Sequence, residues 1–261
     1  MSAAPPSLYR PFSEPPARLA LRGSVSSEGR AHDFDVVSRG DFVPGRIDRP
    51  AAGTDHAVVL VVGHAELRPQ AVARDLAIAR IDLPLLGARR SPKLSDRLVA
   101  GHAELTGDRP LDPDTRALVE EFARQSVSDI VRTLEGLAAE PGLDGGRLAL
   151  VGAGLGASAA AWALPFVPAL RACVLAGPLP GRTDAGLDAV APIAHAALGD
   201  LRCRLLAGPA DAAAAALSAS LPGRPAVEAL TPTEAGSALV SASVPAPADA
   251  IVDFVAEALG R

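Results

Sequence analysis

The stretch RLALVGAGLGASAAAWAL, residues 147–164, decides the fold. It opens with a continuous apolar run of the kind found in strands buried on both faces of a parallel sheet. Glycines at alternate positions follow this run, and an alanine-rich segment begins directly after them. The uncharged stretch 148–170 is interrupted by these glycines and by two prolines, which argues against a membrane-spanning helix. The pattern predicts a strand over 147–152, a tight turn, and a short buried helix over 155–164.

Strands and helices alternate outward from this stretch. Two β-rich runs within residues 33–48 are joined by Ser38-Arg39-Gly40-Asp41, a hairpin signature. Residues 112–140 carry apolar side chains at helical spacing, with Asp112 or Asp114 available as an N-cap. Strands are predicted at 17–24, 33–48, 56–63, 77–84, 147–152, 171–177, 202–208 and 226–230, and helices at 68–76, 112–140, 155–164 and 247–260.

This order of elements predicts the fold class. Parallel neighbours in a sheet need crossover connections, which helices supply. We therefore expect an α/β fold with a mostly parallel central sheet, an N-terminal antiparallel hairpin and helices on both faces. In such sheets ligands bind in the loops at the carboxyl ends of the strands.

Length and composition narrow the classes of function. The 261 residues suit a single domain, predicted over 17–261, behind a loose arm at 1–16. A net charge of −5 gives no large positive field, so nucleic acid is not an expected partner. The N-terminus lacks the apolar core of a signal peptide, and Cys173 and Cys203 lie in apolar runs where reduced thiols are expected. We expect a soluble, cytoplasmic protein with a small-molecule substrate and no membrane partner; its oligomeric state is not predicted.

The segment Gly152-Ala153-Gly154-Leu155-Gly156 resembles the G-x-S-x-G nucleophile elbow of the α/β-hydrolases, which also joins a strand to a helix. Other segments resemble the dienelactone-hydrolase and acetyl-esterase branch of that superfamily. They are VSRGDFVPGRI (37–47), IDLPLLGARRSP (81–92), SDIVRTLEGLAAEPGLDGGRLALVG (128–152) and LLAGPAD (205–211). The likeness covers roughly residues 33–260 and implies the α/β-hydrolase fold.

The catalytic part of the resemblance is incomplete. Gly154 stands where the family has its nucleophilic serine, and a residue without a side chain forms no alkoxide. The resemblance assigns the triad acid to Asp211, after which the family's chain order places a histidine. All five histidines precede this acid: His32, His56, His64, His102 and His195. The expected loop, 231–240, offers Glu234 instead, which predicts a degenerate triad.

Part of the family's machinery needs no particular side chain. The resemblance places oxyanion-hole donors at the backbone N–H of Leu155 and at an N–H of Gly63-His64-Ala65. Paired arginines such as Arg89 and its neighbour bind carboxylates in many proteins. The predicted site therefore comprises Gly154, Leu155, Ala65 and Arg89 for substrate binding, and Asp211, His64 and Glu234 for catalysis.

These residues predict a pseudo-hydrolase that binds a carbonyl-containing small molecule. An enolate carries charge on oxygen, so a surviving oxyanion hole could assist an isomerase, epimerase or cyclase of natural-product biosynthesis. The alternative is an inactive ligand-binding or scaffold protein, and a residual esterase is a third hypothesis.

Several competing interpretations of single residues stay open. Gly152, Gly154 and Ala157 fit the dinucleotide fingerprint G-x-G-x-x-G/A, although the next strand ends without the acidic residue that binds ribose. Ser158, one turn inside the helix, is not expected to replace the nucleophile. His102 and His195 are interpreted as solvated loop histidines. No set of ligands has zinc-site spacing, so neither a metal nor a cofactor is predicted.

Overall fold

The computed structural model describes residues 15–24, 31–51, 53–63, 75–105, 111–177, 201–207, 227–229 and 248–260. Nine strands in this part of the chain form one sheet. They are β1 (Ala20–Ser24), β2 (Ala31–Ser38), β3 (Asp41–Asp48), β4 (His56–Val62), β5 (Leu76–Ile81), β6 (Leu143–Ala153), β7 (Leu170–Ala176), β8 (Arg202–Ala207) and β9 (Val227–Ala229). Their order is β1-β2-β3-β5-β4-β6-β7-β8-β9. Pairing is antiparallel from β1 to β5 and parallel from β5 to β9, which confirms the predicted α/β architecture.

The buried central strands owe their position to uninterrupted apolar sequence. Every residue of β4 is buried, and alternate side chains point to opposite faces of the sheet. Val58, Leu60 and Val62 join an apolar cluster with residues of three helices on one face. Val59 and Val61 join a second cluster on the other face. The sheet is therefore covered on both sides, as the apolar runs predict.

Four α-helices are described: α1 (Pro92–Leu105), α2 (Pro113–Ala138), α3 (Leu155–Ala163) and α4 (Ala248–Ala258). The first three contribute to the first cluster, and α4 covers the second. Asp112 caps α2 by accepting hydrogen bonds from the backbone N–H groups of Asp114 and Thr115. The N-cap prediction for Asp112 is thereby confirmed. None of the described helices is long and apolar enough to cross a bilayer.

The predicted bounds differ from the observed ones in informative places. Helix α1 is not predicted from the sequence, because Gly101 lies within it and only four of its positions carry large apolar side chains, Leu94, Leu98, Val99 and Leu105. The strand predicted to end at residue 84 ends at Ile81, and the following residues form a loop. The helix predicted at 68–76 lies almost wholly outside the described residues, and only its last two residues are seen, the latter of which begins β5. The hairpin turn is confirmed, with positive φ at Arg39 and Gly40.

Candidate functional site

The turn between β6 and α3, residues 152–156, is called the elbow below. Gly154 is its central residue, with φ 58° and ψ −125°. L-residues rarely adopt positive φ, and glycine does so without steric cost. The backbone N–H of Gly154 donates to the carbonyl of Ala176 at 2.8 Å, and its own carbonyl accepts from Ala157 N–H at 2.9 Å. The sharp strand-to-helix turn of the nucleophile elbow is thus present, with glycine at its apex.

The flanking glycines let three backbone segments meet at the elbow. A Cβ on Gly152 would lie 2.8 Å from the Cα of Ala157 and closer to the Gly156 carbonyl oxygen. A Cβ on Gly156 would lie 2.6 Å from the Val62 carbonyl carbon and 2.9 Å from the Gly63 nitrogen. Both contacts are tighter than any side chain tolerates without a backbone shift. The elbow therefore packs directly on the carboxyl end of β4.

This packing brings the start of the next loop to the elbow. Gly63 has φ 86°, and a Cβ there would overlap the carbonyl oxygen of Ala153. His64 and Ala65 follow in the sequence but lie outside the described residues. Their predicted roles, as an acid–base group and an oxyanion-hole donor, stay predictions.

Leu155 is the first residue of α3 and directly follows Gly154. The N–H groups of a helix's first turn have no partner within the helix, and the helix dipole adds partial positive charge there. The Leu155 N–H therefore stands at the right element for polarising a carbonyl oxygen. Its side chain is half-buried against the first apolar cluster.

Two further predicted site residues, Asp211 and Glu234, lie outside the described residues. The degenerate triad therefore remains a prediction from the sequence, and the structure establishes only that Gly154 occupies the elbow apex.

Arg89 lies in the loop after β5, residues 82–91, which is called the β5 loop below. Its guanidinium Nη1 donates to Asp129 Oδ2 at 2.6 Å and to the carbonyl oxygen of Asp82 at 3.2 Å. The side chains of Arg89 and Asp129 are 16% and 4% exposed. Burial raises the pKa of Asp129, while the hydrogen bond and the positive charge of Arg89 act in the opposite direction. The structure thus places the predicted carboxylate-binding arginine in an internal ion pair.

A polar pair that sequence reasoning missed lies beside the elbow. His102 on α1 and Ser158 on α3 are joined by a hydrogen bond of 2.8 Å between Nε2 and Oγ. His102 is 5% exposed and Ser158 is fully buried, so the interpretation of His102 as a solvated loop histidine is wrong. It fails because α1 was not predicted and the two residues are 56 positions apart. Burial lowers the pKa of His102 to about 4, so the imidazole is neutral at pH 7.

Ser158 is also unsuited to replace the nucleophile. Its hydroxyl is buried inside the first apolar cluster's layer of helices, one turn beyond the elbow apex. It would have to leave this position to reach a substrate. No group of three or more histidine, cysteine or acidic side chains that could hold a metal ion occurs in the described part of the chain.

Comparisons with known proteins bear on the fold. No protein-family model matches the chain, and no curated protein matches it. An acetyl xylan esterase from Paenibacillus sp. R4 shares the fold with a TM-score of 0.61 and 14% identity, over 93% of this chain and 89% of that one. A cold-adapted esterase from an Arctic intertidal metagenomic library has a TM-score of 0.57 and 16% identity, over 92% of this chain and 99% of that one. A dienelactone hydrolase-like promiscuous phosphotriesterase from metagenomic libraries has a TM-score of 0.54 and 16% identity, over 87% of this chain and 97% of that one.

These neighbours confirm the fold-level resemblance to the dienelactone-hydrolase and acetyl-esterase branch. They also correct the functional prediction. Each is an esterase or hydrolase, and none is an isomerase, epimerase or cyclase. This finding overturns the predicted non-hydrolytic biosynthetic enzyme and gives no support to a binding protein without turnover.

Proposed function

We propose that this protein hydrolyses a small carboxylic ester by direct attack of water, without a covalent acyl-enzyme. The observation that carries the proposal is the elbow itself. Its backbone keeps the nucleophile turn at φ 58° and ψ −125°, but its apex residue has no side chain. The hydrolytic class of the structural neighbours supports ester hydrolysis. Gly154 lacks the hydroxymethyl group of a serine, and a water molecule is proposed to take the place of that group.

The chemistry follows from this arrangement. The ester carbonyl oxygen accepts a hydrogen bond from Leu155 N–H, with Ala65 N–H as the proposed second donor. A water at the apex attacks the carbonyl carbon while a base takes its proton, which gives a tetrahedral oxyanion. Collapse of that intermediate breaks the bond to the alcohol oxygen, which leaves as the alcohol after taking the proton back.

The base is proposed to be one of His64, Asp211 and Glu234. His64 is the first candidate, because the residue before it, Gly63, already contacts the elbow. In serine hydrolases that lack a triad member, oxyanion stabilisation and binding alone leave about 10³–10⁴-fold catalysis over water. We therefore expect slow but measurable turnover.

The test uses the purified protein with p-nitrophenyl acetate. Release of nitrophenol should be linear from the first turnover, and intact mass should show no acyl adduct. Replacing the base, by His64→Ala, Asp211→Asn or Glu234→Gln, should lower kcat by about 10²–10⁴-fold in one of the three. His32→Ala, on β2, is the control variant and should leave the rate unchanged. A pre-steady-state burst, an acyl adduct, or ester binding without release of nitrophenol would contradict the proposal.

Restoring the nucleophile tests whether a base reaches the apex. Gly154→Ser puts a hydroxyl where the water is proposed to sit, so the same base should activate it. We expect a fluorophosphonate probe to label Gly154→Ser stoichiometrically and to leave the wild type unlabelled. An unlabelled, folded Gly154→Ser protein would show that no base serves this position.

The remaining features of the proposal concern the setting of the reaction. Small-molecule substrate, absence of a cofactor, and the cytoplasmic location inferred from the two thiols belong to it as expectations. Cys173 and Cys203 are both free and buried, in keeping with their interpretation as structural thiols.

A further inference from the structure

The β5 loop holds one residue in a costly conformation. Leu85 has φ 62°, although it is not glycine, asparagine or aspartate. A bulky residue with a left-handed backbone costs on the order of 1–3 kcal/mol and persists only where its surroundings fix it. Such residues concentrate at functional sites. The contacts around Leu85 must therefore offset this cost.

Those surroundings fix the loop through polar side chains. Asp82 Oδ2 accepts from the backbone N–H of Ala88 at 2.8 Å. Ser95, which is 3% exposed, donates its hydroxyl to the carbonyl oxygen of Leu85 at 2.6 Å. Arg89 is held by Asp129, as described above. The charged groups of this loop segment are thus engaged with the protein itself, and the backbone of Leu85 is locked.

The β5 loop begins in line with the elbow, and its two partly buried leucines, Leu85 and Leu86, pack on the first apolar cluster. Ile81, Val62 and Gly152 lie in one row across β5, β4 and β6, at the carboxyl ends of these strands. Neighbouring strands are about 4.8 Å apart, so the β5 loop starts about 10 Å from the elbow. Leu85 is half-buried and packs on the same apolar cluster as Leu155, the residue that follows the elbow apex.

From this geometry we propose that Leu85 determines specificity and that the substrate is an uncharged ester with an apolar acyl chain of several carbons. The proposal rests on ester hydrolysis at the elbow. An acyl chain that extends from the elbow towards β5 meets the Leu85 side chain. Within the described β5 loop both guanidinium groups are already engaged, that of Arg89 with Asp129 and that of Arg90 with Asp96. An ester whose acyl chain ends in a carboxylate is therefore disfavoured.

The experiment compares p-nitrophenyl acetate, butanoate, hexanoate and monosuccinate in the wild type and in Leu85→Asn. Asparagine tolerates the left-handed backbone but removes the apolar contact. For the wild type, kcat/KM should rise from acetate to hexanoate. In the variant, kcat/KM for hexanoate should fall about tenfold or more, because even one methylene group in an apolar pocket changes kcat/KM about tenfold. The value for acetate should be nearly unchanged. The control Leu94→Asn, at a half-exposed leucine of α1, should leave kcat/KM unchanged for both hexanoate and acetate.

Two outcomes overturn the proposal. One is a chain-length profile that Leu85→Asn and Leu85→Gly leave unchanged. The other is a preference for the monosuccinate over the butanoate in the wild type that is lost in Arg89→Met. That result would show that Arg89 binds the carboxylate of the substrate. If no ester is hydrolysed, the proposed function fails, and equilibrium binding of 2-octanone and acetone tests Leu85 by itself. Tighter binding of 2-octanone that Leu85→Asn abolishes supports the inference, and equal binding of the two ketones overturns it.

Discussion

The elbow and the β5 loop lie at the same edge of the sheet, yet they are shaped by opposite means. At the elbow, missing side chains let backbone meet backbone, as the contacts around Gly152 and Gly156 show. The backbone of the β5 loop is held by bonds from the loop's own Asp82 and Arg89 side chains and from Ser95 on α1. The elbow should therefore be sensitive to added atoms, and the β5 loop to removed ones.

The largest effect is expected in the β5 loop, from Asp129→Leu. This substitution removes the buried counter-charge of the Arg89 guanidinium and leaves it only the exposed carboxylate of Asp41, 3.8 Å away. Breaking a buried ion pair costs about 3–5 kcal/mol. We expect the lower end of that range because Arg89 keeps 16% exposure. The free energy of unfolding from urea titration measures it.

The matched double variant Arg89→Met/Asp129→Leu removes both charges. It should recover most of the loss, because replacing a whole buried pair by apolar groups is often neutral. Equal losses in the single and double variants would show that the pair does not stabilise the loop through its charges.

The next effect concerns His102, which lies beside the elbow on α1. Its pKa is about 4 in the folded protein against 6.5 for the free side chain. The unfolded chain therefore binds more protons between these values, and stability falls as pH drops from 6.5 to 4. The full difference is about 3 kcal/mol at 1.36 kcal/mol per pKa unit, and it is present in full above pH 6.5.

The check is the free energy of unfolding as a function of pH in the wild type and in His102→Gln, which cannot titrate. The difference between the two proteins should shrink or reverse by about 3 kcal/mol on going from pH 7 to pH 4. A constant difference across the range would mean that His102 is protonated as readily as in solvent.

At the elbow, Gly156→Ala should be destabilising through one added carbon. The new Cβ would meet the backbone of Val62 and Gly63, which cannot move away as a flexible side chain can. Overpacking costs about 1–3 kcal/mol, and the upper end is expected here. Gly23→Ala has nothing within 4 Å of its added Cβ and should be close to neutral. Thermal unfolding of both variants would show whether the elbow is as closely packed as this.

The smallest effect should come from the exposed ion pair between Arg90 of the β5 loop and Asp96 of α1. Its side chains are 60% and 71% exposed, at a distance of 2.8 Å. Exposed pairs contribute less than about 1 kcal/mol, so Asp96→Ala should hardly change the free energy of unfolding. A loss comparable to that of Asp129→Leu would show that exposure does not separate the two pairs.

The sequence predicts the elbow better than the β5 loop, for a physical reason. Closely spaced glycines after an apolar run carry their information locally, so the turn at Gly154 and the helix after it are readable from a few residues. The ion pair of Arg89 is formed with Asp129, 40 positions away, and the sequence around either residue does not indicate the other. One signal was available: Asp129 lies between Val127 and Ile130 on a buried face of α2, where a carboxylate needs a cation.

The same distinction explains the errors at the candidate site. The fold-level resemblance was carried by apolar strands and glycines, and the structure confirms it. The prediction of rearrangement chemistry depended on which side chains are missing, and the esterase and hydrolase neighbours overturn it. The interpretation of His102 is wrong because its hydrogen bond to Ser158 joins two helices, α1 and α3, that are far apart in the sequence.

Modification of the buried thiols can measure how often the strands next to the elbow separate. Cys173 and Cys203 are direct partners in the register of β7 and β8. The end of β7 in turn accepts the Gly154 N–H, and Gly177 N–H bonds to Leu206 on β8. Burial raises the pKa of the Cys173 thiol, so it reacts with an alkylating reagent only in molecules whose strands have opened. The rate of modification therefore reports the opening free energy of the segment that supports Gly154, in the unaltered wild-type chain.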